Sequence, residues 1–434
     1  MKKKDILKEL IIDFQGKKLP LIIERDIVIP INTKKIISVI GVRRSGKTYA
    51  LFQTIKKLLK NTPIEKIVYI SFEDERLELK AEELSLLIEA YKELYPEIPL
   101  NEVYFFFDEI QNIEGWERFV RRVYDNYSKN IFITGSNSKL FSTEIATSLR
   151  GRTITYKIFP LSFKEFLKFK NFEFEKKYLY SLEKKTILKN LFNEYMKFGG
   201  FPEVVKVEDE NLKIKILQEY FEVMLYKDIV ERYHIKSPTI LKYFTKRLIE
   251  SIGKPISINN IYNEIKSQGY KVSKDTLYEF FDMLEAVFFI LIIKKFSKSI
   301  LKTEFSQKKA YLVDNGFLTA LTFSFLENYG KLLENILAKE LIAREYELFY
   351  FKEKKECDFV AIKDKDIIPI QVSYSLQDKK TKEREIKGLL EALNYLNKKE
   401  GIILTYEEKD EITVGDKNIK IMPMYEYLLL WKEK

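Results

Sequence analysis

The chain has 434 residues, 46% of them apolar and 32% charged, with a formal net charge of +10 at neutral pH. One cysteine, Cys357, and one histidine, His234, exclude an intramolecular disulfide and HExxH metal chemistry, and leave a cysteine-based zinc site without ligands. At roughly 150 residues per domain the length fits about three domains, and the longest purely apolar run, Ala286 to Ile293, falls well short of the ~20 residues that span a bilayer.

The opening MKKKDILKEL mixes charge into its apolar positions and has no uninterrupted apolar core of a secretory signal. The expected setting is therefore intracellular and cytoplasmic, with no membrane partner. The positive balance is mild for this length; it permits nucleic-acid contact without requiring it. Residues 1–35 read as a charged helix followed by extended pieces around Pro20 and Pro30. From 36 to about 160 the runs Ile36–Ile40, Ile67–Ser71, Val103–Phe107 and Ile131–Thr134 alternate with amphipathic helices. Runs that are apolar throughout suit strands buried on both faces of a parallel sheet, joined by helices.

Gly41-Val42-Arg43-Arg44-Ser45-Gly46-Lys47-Thr48 matches GxxxxGK[ST] between an apolar strand and the helix Thr48–Leu59. The glycines let backbone N–H groups face a phosphate, the helix N-terminus adds its dipole, Lys47 reaches the β/γ-phosphates and the Thr48 hydroxyl ligates Mg²⁺. Val103–Phe107 then ends in Asp108 and Glu109, one carboxylate for the Mg²⁺ shell and one to polarise an attacking water. A third apolar strand ends in Ser136 and Asn137. Either fills a sensor role near the γ-phosphate, or the pair caps the next helix. Arg150 and Arg152 are candidates for an arginine acting on the γ-phosphate, in cis or across a subunit contact, with a solvated pair as the plain alternative. Arg43 and Arg44 lie close to phosphate by position; their alternative is salt bridging to Glu73 or Asp74. ATP with Mg²⁺ is the ligand expected.

The segments GVRRSGKT, FFFDEIQNIEGWERFVRRVYD, ITGSNSKLFSTEIATSLRGR and IFPLSFKEFL closely resemble archaeal and bacterial AAA-type ATPases that carry a DUF4143-like C-terminal region, and the resemblance continues through FGGFPEVV, YKDIVERY, YLVDNGF, LLENILAKEL and ECDFVAI. It implies an α/β chain with a P-loop core on a mostly parallel sheet, a helical and winged-helix middle, and a nuclease-like α/β C-terminal domain. The segments expected are 1–160 for the ATPase core, 161–235 for a helical lid or linker, 236–325 for a winged-helix-like domain and 326–434 for the nuclease-like domain.

In the middle, a capped helix over Ile256–Ile265, a turn at Gly269, the helix Lys274–Ala286 and two extended runs trace the outline of a winged helix. Lys271, Ser273, Lys274 and Thr276 then face a phosphate backbone, although Asp275, Glu279, Asp282 and Glu285 on the same helix repel DNA unless they point away. Toward the end, Glu334 on a helix, Asp358 on one hairpin strand and Gln371-x-Ser373 on the next follow the PD-(D/E)xK order. Ser373 stands where the lysine belongs and Gln371 replaces the second carboxylate. Lys352, Lys354, Lys355 and Arg384 are neighbours that could supply the missing charge. A nuclease-like fold used for binding or assembly fits these departures better than cleavage does; for Glu334 and Asp358 the plain alternative is ion pairing with local cations. The partners expected are ATP, duplex DNA, a second copy of the chain or another protein. The activity expected is that of an Mg²⁺-dependent ATPase working as a nucleotide-gated switch, with a DNA-processing protein and a weakly hydrolysing oligomeric regulator as the alternatives.

Overall fold

The computed structural model describes residues 2–137, 149, 151–322 and 329–430. The chain divides into two compact units, Met1–Phe159 with Ala286–Phe288, and Pro160–Glu285 with Phe289–Lys434.

The first unit is built on five parallel strands: β1 (Ile36–Ile40), β2 (Ile67–Ser71), β3 (Tyr104–Asp108), β4 (Ile131–Gly135) and β5 (Thr153–Lys157), in the order β2-β3-β4-β1-β5. β1 and β4 are buried at every position, as the unbroken apolar runs require of inner strands in a two-sided sheet. Helices α1 (Lys3–Gly16), α2 (Lys47–Leu58), α3 (Ser85–Leu94) and α4 (Trp116–Asn126) belong to this unit. Val39, Leu51, Ile55, Phe106 and Phe132 share one core cluster, with Phe106 and Phe132 stacked 4.5 Å apart across neighbouring strands. All five strands run the same way, so the ends of β1, β3 and β4 that carry the polar motifs lie along one edge of the sheet. That is where open α/β sheets bind ligands.

The second unit opens with helices α5 (Phe163–Phe169), α6 (Leu182–Phe198), α7 (Glu210–Val223), a π-helical stretch Met224–Glu231, α8 (Pro238–Glu250), α9 (Ile258–Ser267) and α10 (Lys274–Ala286). Then come β6 (Ile290–Lys295), β7 (Lys309–Leu312), α11 (Asn315–Leu321), α12 (Tyr329–Ala343), β8 (Glu347–Lys352), β9 (Glu356–Lys363), β10 (Asp366–Val372), α13 (Lys379–Leu396), β11 (Glu400–Thr405), β12 (Asp410–Val414), β13 (Lys417–Pro423) and α14 (Met424–Leu430). β6 and β7 form an antiparallel pair after three helices, the element order a winged helix asks for. The pair is not a free wing: β6 pairs in parallel with β8, so both strands extend the C-terminal sheet into one mixed sheet of eight, ordered β12-β13-β11-β10-β9-β8-β6-β7. No described helix is long and apolar enough to cross a membrane.

The break at Phe198–Pro202 has a structural cause. The Asp314 carboxylate accepts hydrogen bonds from Gly200 N at 2.7 Å and Gly316 N at 2.9 Å. Gly199 has φ +74°, and a Cβ there would lie 1.6 Å from Asp314 Oδ1. Asn335 completes the node, pairing its side-chain amide with both Leu312 N at 2.7 Å and Leu312 O at 3.0 Å. The buried ammonium of Lys339 donates to Leu161 O, the Tyr195 hydroxyl and Glu340. These polar side chains stitch α6, β7, α11 and α12 together.

Burial pushes the Asp314 carboxyl up to about 6, against the two N–H donors and the Lys339 charge that favour its ionised form. The folded state thus holds this proton more tightly than the unfolded chain, so the associated stability is present below about pH 4 and is lost as pH rises to 6, a change of ~3 kcal/mol. Urea midpoints measured between pH 4 and pH 7 are expected to fall more steeply for the native chain than for Asp314→Asn, which also carries a constant, pH-independent loss from one poorly matched N–H.

Candidate functional site

The loop between β1 and α2 wraps Gly41 to Thr48 around the end of β1. Gly41 is demanded by close packing: a Cβ there would sit 2.1 Å from Ile158 O. Gly46 (φ 98°) and Arg44 (φ 67°) adopt left-handed backbone, which turns the loop toward the first helical turn. The Lys47 ammonium, 4% exposed, lies 3.2 Å from Gly41 O, 3.4 Å from Val42 O and 3.1 Å from the Glu109 carboxylate. Ser45 Oγ is buried without a hydrogen-bond partner, an orphaned hydroxyl inside the loop.

Asp108, at the end of β3, is the centre of the site. Its carboxylate accepts from Thr48 Oγ1 at 2.8 Å, Tyr69 OH at 2.8 Å and Thr134 Oγ1 at 2.5 Å. Burial drives its carboxyl upward; the hydroxyl donors pull the other way, and the neighbouring Glu109 charge adds to the rise. Glu109 has φ 51°, in the left-handed region that a non-glycine residue rarely adopts. Its N–H donates to Thr134 Oγ1 at 2.7 Å, and its carboxylate accepts from Gln111 Nε2 at 2.5 Å. Burial alone would raise the Glu109 carboxyl, but the Lys47 charge and the Gln111 bond outweigh it and the net shift is downward. The same Gln111 amide lies 3.4 Å from Ser136 Oγ, which draws the end of β4 into the site. Asn137 is fully buried beside it.

Lys47, Thr48, Asp108, Glu109 and Ser136 thus come together. Arg43 points to the rim and pairs with Glu73 at 2.9 Å; Arg44 is exposed. Arg152 is placed elsewhere. It precedes β5, whose Thr153 pairs with Ile36 at the start of β1, and it binds Asp125 at 3.1 Å. The length of β1 separates it from the phosphate loop by roughly 17 Å, so within its own chain it is not a γ-phosphate contact. Arg150 lies outside the described residues. Sequence reasoning missed Arg25, whose guanidinium donates to Ser45 O at 2.9 Å and Phe159 O at 2.8 Å, bracing the loop from behind. It also missed the roles of Tyr69, Gln111 and Thr134. A polar residue inside or just after an apolar strand is the only signal these left.

In the second unit, Ser273 and Thr276 are engaged with each other. Ser273 Oγ caps α10 by accepting from Thr276 N at 3.0 Å and lies 2.8 Å from Thr276 Oγ1. Lys271 is exposed, and Lys274 sits 5.3 Å over the Tyr262 ring. Asp275, Glu279 and Asp282 lie on the exposed face of α10, which sets an acidic surface against a phosphate backbone. Glu334, Asp358, Gln371 and Ser373, by contrast, line a single cleft of about 690 Å³. Asp358 accepts from Val372 N at 2.9 Å, Gln371 Oε1 accepts from Asp358 N at 3.1 Å, and the Ser373 hydroxyl donates to Ser375 O at 3.0 Å. Lys309 of β7, 1% exposed, meets Glu356 at 2.6 Å and interacts electrostatically with Asp358 and Glu334. No group of three or more acids, histidines or cysteines able to hold a metal occurs among the described residues.

Comparison with known proteins gives the family. Residues 33–167 match the family described as AAA domain, 189–327 a domain of unknown function, DUF8612, and 329–427 another, DUF4143. The uncharacterised protein MJ1544 of Methanocaldococcus jannaschii is 40% identical over 444 residues, covering 99% of this chain and 96% of that protein. An uncharacterised protein of Haemophilus influenzae is 35% identical over 352 residues, covering 79% and 83%. Among solved structures, AMPPCP-bound DnaA from Aquifex aeolicus aligns with 65% of this chain and 86% of its own at 15% identity and a TM-score of 0.25. The first unit is an AAA-type P-loop ATPase domain. The chain belongs to the family that joins this domain to a C-terminal DUF4143 domain.

Arg25→Ala removes two charge-assisted bonds to loop carbonyls. The expected loss is ~2 kcal/mol of stability and weaker nucleotide binding, read by thermal melting and by titration with a fluorescent ATP analogue, while Arg76→Ala on the exposed surface leaves both near the native values.

Proposed function

We propose that the protein is an Mg²⁺-dependent ATPase whose nucleotide state gates a surface for a macromolecular partner. One observation carries this reading: the Glu109 carboxylate is held between Lys47 and Gln111, at the place where the phosphate loop, β3 and β4 converge. Thr48 and Asp108, hydroxyl and carboxylate 2.8 Å apart, are the residues that would hold Mg²⁺, and the orphaned Ser45 hydroxyl fits a loop awaiting phosphate oxygens. Bound there, the metal supplies charge neutralisation for the phosphates.

The protein's own residues do the rest. Without nucleotide, Lys47 is balanced by Glu109 and two backbone carbonyls. Phosphate charge competes for the same ammonium, so binding releases Glu109 from its ion pair while Gln111 keeps it in place. The freed carboxylate orients a water and takes its proton as the water oxygen bonds to the γ-phosphorus and the bond to the β-bridging oxygen breaks. Exchange of the Lys47 partner is thus the event by which occupancy is felt at β3 and β4. An arginine acting on the γ-phosphate from a neighbouring copy is supplied by Arg150 or Arg152.

Glu109→Gln is expected to keep ATP binding and to lower steady-state phosphate release by about 10²–10⁴-fold, with Lys47→Ala losing both. Unchanged turnover in Glu109→Gln would remove this residue from the mechanism.

A further inference from the structure

The cleft of the second unit combines three features that its sequence motif alone does not explain. The first is a row of rings. Phe192, buried, lies 6.5 Å from Tyr406; Tyr406 stacks on Tyr374 at 5.1 Å and Tyr374 on Tyr329 at 5.0 Å, with interplanar angles of 27° and 26° for the last two pairs. The row ends in Tyr329, 43% exposed, at the wall of the cleft. Its middle ring is anchored: Tyr374 sits in a turn where Ser373 N donates to Leu404 O at 2.9 Å, and Glu408 accepts from Ser375 Oγ at 2.6 Å and Leu376 N at 2.9 Å.

The second feature is a built cationic rim. The Glu391 carboxylate accepts from Lys354 N at 2.8 Å and Lys355 N at 3.0 Å, fixing the turn between β8 and β9 so that both lysines are exposed along the cleft. Arg384 faces them from α13, anchored by Glu385 at 2.5 Å yet with its side chain 68% exposed. The third is the floor. Of the acids that line the cleft, Asp358 and Glu385 are buried and Glu334 and Glu356 half-buried, Glu356 and Glu385 pair with rim cations Lys352 and Arg384, and Lys309 reaches Glu356 from below at 1% exposure.

We propose that this cleft binds single-stranded nucleic acid, with an unpaired base stacked on Tyr329 and the backbone phosphates running along Lys354, Lys355 and Arg384. Stacking on an exposed tyrosine needs a base whose face is free, which a duplex does not offer, and a lysine–arginine rim tracks phosphates without reading sequence. A cleft of 690 Å³ is within the size range of small-ligand sites and admits a nucleotide rather than a double helix. This site is distinct from the ATP loop, and the inference does not depend on hydrolysis.

The test is fluorescence anisotropy on the full chain with labelled twelve-residue oligo(dT) and oligo(U), against a duplex of equal length, without ATP and at low salt. Single strands are expected to bind tighter than duplex. Tyr329→Ala should weaken them about 5- to 150-fold, the equivalent of one stacked base, with Tyr329→Phe close to native. Lys354→Ala/Lys355→Ala should weaken binding and flatten the salt slope by about 1.4, while Lys271→Ala changes nothing. All these positions are exposed, and circular dichroism melts establish that each variant folds. Duplex binding as tightly as single strands, affinity indifferent to Tyr329→Ala, capture of inorganic phosphate or a mononucleotide only, or no binding at all would each overturn the proposal.

Discussion

The nucleotide site depends on one buried carboxylate. Asp108 takes hydroxyl hydrogen bonds from α2, β2 and β4 at once, through Thr48, Tyr69 and Thr134. Removing a carboxylate from water is costly unless its lone pairs are filled, and here three hydroxyls fill them without adding a compensating positive charge. The arrangement fills the carboxylate's hydrogen-bonding capacity at the edge of the phosphate loop. It also fixes geometry: with these partners in place, the register of β3 between β2 and β4 and the start of α2 are tied to a single point. Thr134 does double duty, donating to Asp108 and accepting from Glu109 N. The left-handed turn that aims Glu109 at Lys47 is held by that second bond.

How much of this was legible in the sequence follows from what is local. GVRRSGKT and the strand ending in Asp108 and Glu109 are contiguous stretches whose chemistry needs no distant neighbour, so the residues of the loop and the acids could be named from spacing. Arg25 could not: its brace joins Ser45 O to Phe159 O, groups far apart in the chain. Thr134 was invisible for the same reason, because its work is done across strands, while Gln111 binds Glu109 two residues away in a turn with no spacing motif to mark it. β5 was missed as a strand because it is an edge strand, mostly half-buried or exposed over Thr153–Lys157, and has no apolar run to betray it. The hairpin β12–β13 was missed likewise; Asp410–Val414 is exposed along nearly its whole length. The cis reading of Arg152 fails because adjacency in sequence to the end of β4 says nothing about which end of β5 it occupies; its ion pair with Asp125 fits the plain alternative.

The second unit teaches the complementary lesson. Glu334, Asp358, Gln371 and Ser373 were picked out by order along the chain, and the structure gathers all four in one cleft. The charge missing at Ser373 was sought among its neighbours, Lys352, Lys354, Lys355 and Arg384. Those four do line the cleft, at its rim, but the cation buried among the acids is Lys309, delivered by β7. β7 reaches that position because β6 joins the sheet through β8. A hairpin read as a wing for a separate domain instead extends the sheet of this cleft and sets Lys309 against its acids.

That exchange bears on what the cleft can do. A lysine placed at Ser373 would lie on the strand that also carries Gln371; one on β7 approaches from the opposite side of Asp358 and pairs with Glu356 first. Gln371 is likewise committed, bridging Asp358 N and the Glu385 carboxylate, and Ser373 is turned to Ser375 O. Each polar group a metal-dependent nuclease would keep open is bonded to a protein partner or balanced by a lysine. The result is a floor in which Lys309 sits among the acids, beneath a rim where Lys352 and Arg384 are paired with Glu356 and Glu385 and Lys354 and Lys355 are exposed. On the proposal made for this cleft, a phosphate chain is held at its mouth by the exposed Lys354 and Lys355, above polar groups already bonded within the protein.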